Sequence, residues 1–74
     1  MIDEAFARVL RRLRVQKGLS QEALGEEADL HRTYVSQLER GLKSPSLRTF
    51  HRIAKALDIS ISELMSLVEK EAAK

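Results

Sequence analysis

With 74 residues, 32% of them charged, and a net charge of +2, the chain is sized for one domain whose small core is marginal unless it packs efficiently or associates with a partner. It has no cysteine, which excludes disulfides and a thiolate zinc site as supplements to that core. Three aromatic residues, no β-branched runs and a single proline point to an all-α chain. No uncharged stretch approaches the length of a membrane span, and the acidic start MIDEAF is unlike a secretory or transit signal, so the expected location is cytoplasmic and no membrane is expected among the partners.

Five helices are expected. In the first, about Asp3 to Gln16, a 100° wheel puts Ile2, Phe6, Val9, Leu10 and Leu13 on one stripe and points Arg8, Arg11 and Arg12 away from it. Gly18 closes it as a left-handed cap. Ser20 caps the second helix, Gln21 to Glu27, whose first turn holds Glu22 at the positive end of the helix dipole. Ala28 to Leu30 is read as a tight turn. The third helix, about Arg32 to Arg40, has His31 at its cap and Gly41 at its end. Val35 and Leu38 form its inner side, and Thr33, Ser36, Gln37 and Arg40 form a continuous polar band outside.

Pro45 disfavours helix at Ser44, and Ser46 caps the fourth helix, Leu47 to Leu57. Its apolar arc is Leu47, Phe50, Ile53, Ala54 and Leu57, opposite a basic arc of Arg48, His51, Arg52 and Lys55. The spacing Ser60-x-x-Glu63 is a capping box that starts the fifth helix, which runs to about Glu71. The wheel buries Ile61, Leu64, Met65 and Val68 there and leaves Leu67 on the flank, which suggests a second apolar surface. One unit spanning residues 1–74 is the simplest organisation.

The charge is unevenly distributed. From Ser20 to Asp29 four acidic residues stand with no basic one, whereas Leu30 to Lys55 holds six basic side chains against Glu39 alone. The positive charge therefore gathers on the third helix and the segment after it, as on a phosphate-contacting surface. Two short helices joined by a tight turn, the second with a polar face that no core needs, form a helix-turn-helix motif over residues 20–40. The major groove admits such a helix, and its base edges are read by outward side chains of the first turns. Arg32 is a candidate to fork onto guanine O6 and N7, Thr33 to contact thymine, and Gln37 to pair with adenine N6 and N7, while Ser36 permits close approach. Ser20 and Gln21, at the start of the second helix, are candidates for a phosphate. Tyr34, Arg40, Lys43 and Arg48 complete the candidate backbone contacts.

The run LSQEALGEEADLHRTYVSQLERGLKSPSLRTFHRIAKALDIS resembles the Cro and phage-repressor type helix-turn-helix, the XRE family, and RTYVSQLERG is especially similar to small controller proteins of restriction-modification systems. The resemblance covers about Val9 to Leu64 and implies a compact, five-helix, lambda-repressor-like DNA-binding domain. It implies a phosphate contact at Gln21, base reading at Arg32, Thr33, Ser36 and Gln37, and DNA contact at Lys43. It also implies a partly buried ion pair between Arg14 and Glu39, so Glu39 is expected to be structural although it sits in the reading helix. The chain departs from the family at Gly25, where alanine is usual, and at Asp29, where glycine is usual.

The reading that follows is a sequence-specific double-stranded DNA-binding transcriptional regulator acting as a homodimer on a palindromic operator. The dimer surface is expected on the fifth helix, about residues 61–71, at Leu64, Met65, Leu67 and Val68, with Met1, Ile2 and Phe6 as further candidates. An antitoxin-like or other protein-interaction module with secondary DNA binding is the alternative. No paired carboxylates, nucleophile with base or phosphate loop argues for an enzyme. His31 and His51 are not at metal-ligand spacing, and no metal, cofactor or small-molecule ligand is expected.

Overall fold

Serine side chains set the starts of three helices, and the residues after the helices set their ends. In the computed structural model, which describes residues 1–74, α1 spans Ile2–Gln16, α2 Gln21–Ala28, α3 Arg32–Glu39, α4 Leu47–Ala56 and α5 Ile61–Ala72, with no strand. Ser20, Ser46 and Ser60 Oγ accept the backbone N–H groups of Ala23, Thr49 and Glu63 at 3.0, 3.1 and 3.0 Å. The Glu63 carboxylate in turn accepts the Ser60 N–H at 3.3 Å, completing the capping box. His31 caps α3 through Nδ1, which accepts from the Thr33 N–H at 3.0 Å.

Four of the five helices end in one way. A left-handed residue follows each: Gly18, Asp29, Gly41 and Asp58, with φ of 75°, 58°, 74° and 64°. The next residue then donates its N–H five positions back: Leu19 to Arg14 O, Leu30 to Gly25 O, Leu42 to Gln37 O and Ile59 to Ala54 O, at 2.7 to 3.1 Å. Leu19, Leu30 and Ile59 also fold back onto the core, the apolar contact that accompanies this ending. Asp29 and Asp58 adopt the conformation at the cost a Cβ brings, which aspartate bears better than most residues. The left-handed ending at Asp58 was not anticipated from the sequence.

The core gathers 14 residues, 13 from the five helices and Leu57 just after α4, among them Leu10, Leu24, Leu38, Ile53 and Leu64, all fully buried. Phe6 and Phe50 join α1 to α4 with ring centroids 5.6 Å apart and planes tilted by 39°. α1 packs along α5 and α3, while α2 packs on α3 and α4. The radius of gyration is 10.8 Å, close to the ~11 Å of a fully packed chain of this length. No helix is long and apolar enough to cross a membrane.

The buried stripe of α5 is rotated from the one its wheel suggested. Leu64, Val68 and Glu71 are buried and Leu67 is half-buried against the core, whereas Ile61 and Met65 are 37% and 41% exposed. The wheel gives an apolar arc but not which side of the arc meets α1. Of the four residues expected at a dimer surface, Leu64 and Val68 are therefore buried at 0% and 1% exposed, Leu67 is half-buried and Met65 is exposed. Ile2 and Leu47, the first residues of α1 and α4, are likewise 52% and 77% exposed. With Ile61 and Met65 they line one apolar groove floored by Phe6, Phe50 and Val68. Arg8 and Arg12, expected to point into solvent, instead reach across to Glu71.

Candidate nucleic-acid interface

Docking of α3 rests on Val35 and Leu38, both with no exposed surface, and this leaves the opposite face outward. Arg32, Thr33 and Arg40 are exposed, and Ser36 and Gln37 are half-buried. Tyr34 is half-buried with its side chain against the core.

Gly25 of α2 is buried where the turn into α3 passes over it. A Cβ there would stand 2.5 Å from the Leu30 carbonyl oxygen, a separation that forces the backbone of the turn to move. Gly25 costs α2 up to about 1 kcal/mol relative to alanine as a helix former. The Leu30 N–H donates to its carbonyl at 2.7 Å, so the turn closes directly over a residue without a side chain.

A buried ionic network links α2 and α3 to α1. Arg14 Nε donates to Glu39 Oε2 and Arg14 Nη2 to Glu39 Oε1 at 3.0 Å, a two-pronged pair whose side chains are 12% and 4% exposed. Arg14 Nη1 also donates to the Leu19 carbonyl at 2.8 Å. The hydrogen bond to Glu39 raises the Arg14 pKa further above its ordinary value, against the opposing effect of burial. Gln21 Nε2 donates to Glu39 Oε1 at 3.2 Å. This last contact was not foreseen, because nothing in the local pattern of α2 indicates which side of α3 it will face.

Ser20, Gln21, Arg32, Thr33 and Ser36 line one polar depression between the starts of α2 and α3, with no apolar residue in its wall. Gln37, Tyr34, Arg40, Lys43 and Arg48 lie outside it. Arg40, Lys43 and Arg48 are exposed. The ion pairs of the chain involve only the N-terminus, Arg8, Arg12, Arg14 and Lys74 as cations. None of the six basic residues between Arg32 and Lys55 is neutralised by a carboxylate. The exposed side of α3 and its flank therefore carries free positive charge beside uncharged hydrogen-bonding groups. No three His, Asp or Glu side chains come together as a metal site.

A family model described as helix-turn-helix matches residues 10–64. The control protein C.BamHI of Bacillus amyloliquefaciens is 43% identical over 61 residues, which cover 81% of this chain and 75% of that protein. The restriction-modification controller protein C.AhdI from Aeromonas hydrophila superposes with a TM-score of 0.81 at 45% identity, covering 84% of this chain and 94% of that one. The controller C.Esp1396I, solved as a tetramer with its natural 35 base-pair operator, superposes at a TM-score of 0.91 and 28% identity, covering 100% and 97% of the two chains. The chain belongs to the XRE-type helix-turn-helix family of DNA-binding transcription regulators, and it is similar to the control proteins of restriction-modification systems.

Proposed function

We propose that this protein is a sequence-specific, double-stranded DNA-binding transcriptional regulator of the restriction-modification controller type, acting as a homodimer on a palindromic operator. The observation that carries this reading is the outward face of α3: Arg32, Thr33, Ser36 and Gln37 on a helix docked by Val35 and Leu38, beside cations that no carboxylate neutralises. Arg32 reads guanine, Thr33 thymine and Gln37 adenine, with Ser36 allowing close approach. Ser20, Gln21, Tyr34, Arg40, Lys43 and Arg48 contact the sugar-phosphate backbone and set the register. A single unit spanning residues 1–74 performs both tasks.

The apolar groove of Ile2, Leu47, Ile61 and Met65 is the surface on which two copies meet. A two-fold dimer places its reading helices about 34 to 36 Å apart, so half-sites are centred about 10 to 10.5 base pairs from each other. That C.Esp1396I was solved as a tetramer on its operator supports an oligomeric mode of action. Selection of bound sequences from random duplexes, repeated with Arg32→Ala, tests the reading. The expected result is a palindromic consensus from the parent, with preference lost at one base pair per half-site in the variant. A uniform loss of affinity for every sequence makes Arg32 a phosphate contact, and no consensus from the parent removes the proposal.

A further inference from the structure

Glu39 lies on α3 but turns away from its outward face, and three N–H donors converge on its carboxylate. Two come from Arg14 and hold α1 against α3. The third comes from Gln21, the first residue of α2, which is half-buried at the rim of the polar depression shared with Arg32, Thr33 and Ser36. A primary amide has a donor end and an acceptor end that exchange places by a half-turn about one bond, whereas a carboxylate only accepts. Turning the Gln21 amide over would set its oxygen against Glu39 and cost the bond.

We propose that Glu39 is a positioning residue for DNA binding. By accepting one hydrogen of Gln21 Nε2, it holds the amide so that its second hydrogen is directed outward to a phosphate oxygen at the start of α2. This rests on the DNA-binding reading above. An amide released from Glu39 presents its carbonyl as readily as its N–H, and a carbonyl oxygen facing a phosphate repels it. Glu39 thus has two separable tasks: its bonds to Arg14 join helices, and its bond to Gln21 sets the polarity of a contact. Arg14 neutralises the Glu39 charge, so the carboxylate can stand behind the phosphate site without repelling it.

A double-mutant cycle of Glu39→Gln and Gln21→Ala, read as affinity for the duplex recovered by selection, tests this under conditions where melts show each variant folded. Glu39→Gln is expected to weaken binding about tenfold when Gln21 is present and to leave it unchanged in the Gln21→Ala background. The same loss in both backgrounds overturns the proposal. Should Glu39→Gln fail to fold, side-chain amide relaxation in the unsubstituted protein decides. Gln21 is expected to be as rigid as the backbone, and mobility equal to that of the exposed Gln16 overturns the proposal. Failure of the parent to bind any duplex overturns the DNA-binding reading itself, a result separate from the amide measurement.

Discussion

Arg8 Nε donates to Glu71 Oε2 at 2.9 Å across 63 positions of the chain, and Arg12 Nη1 donates to the other oxygen of the same carboxylate at 3.2 Å. The last turn of α5 is thereby clamped to the middle of α1. Glu71 is the inner partner, with a side chain 9% exposed against 57% for Arg8. Lys74 Nζ adds a third donor at 3.3 Å.

These bonds make the clamp acid-sensitive. The guanidinium groups of Arg8 and Arg12, with Lys74 behind them, hold the Glu71 carboxyl down to about 2, against an ordinary glutamate value of about 4.3. A lowered folded-state pKa contributes stability that is fully present above the unfolded value and is lost as pH falls towards the folded one. The parent is expected to melt at a higher temperature than Glu71→Gln at neutral pH. The difference should shrink as pH falls from about 5 to about 2. A difference that stays constant over that range would show that the clamp does not carry it.

Removing Glu39 leaves Arg14 buried without its partner. Glu39→Ala is expected to destabilise the domain by about 3 to 5 kcal/mol, the usual cost of breaking one side of a buried pair. Urea unfolding followed by circular dichroism measures it. A midpoint equal to that of the parent contradicts the structural role of the pair.

At Gly25 helix propensity and tertiary packing point in opposite directions. Alanine is the better helix former by about 1 kcal/mol, yet its Cβ would meet the Leu30 carbonyl oxygen at 2.5 Å. Gly25→Ala is expected to lower stability by about 1 to 3 kcal/mol, because backbone rather than a flexible side chain must give way. Thermal melts are the check, and a higher melting temperature would mean that the turn relaxes without cost.

Arg40, Lys43 and Arg48 are exposed and lack carboxylate partners. If each contacts a phosphate, replacing any one by alanine removes two contacts from a dimer, reduces the salt dependence of operator affinity by about two units of slope and weakens all sequences alike. Titrations over a range of potassium chloride concentrations give the slopes. An unchanged slope removes that residue from the interface.

Leu47 and Met65 are 77% and 41% exposed in the monomer, so an aspartate at either position is tolerated by the monomer's own packing. Each substitution is expected to convert the proposed dimer to a monomer in sedimentation equilibrium while changing the stability of the monomer by less than about 0.5 kcal/mol. Leu47→Asp and Met65→Asp proteins that remain dimeric would exclude this groove as the contact surface.

Helix positions were legible because their signals are local. Ser20, Ser46 and Ser60 each bond a backbone N–H three residues ahead, and Gly18 and Gly41 occupy left-handed positions that a reader can place without knowing the fold. The five helices follow from these caps and a 3.6-residue period. The outward band of α3 was equally accessible, since a helix with only Val35 and Leu38 to bury must expose the rest.

Contacts between distant segments were decided by the tertiary structure. A helical wheel fixes directions about its own axis but not the position of the neighbour. For that reason Ile61 and Met65 exchanged places with Leu67 and Glu71 on α5, and Arg8 and Arg12 found a buried carboxylate. The same limit hid the bond from Gln21 to Glu39, which joins the first residue of α2 to the last of α3. Local chemistry determined where each helix begins and ends and which residues α3 presents; only the packing of one helix against another decided what stands behind them.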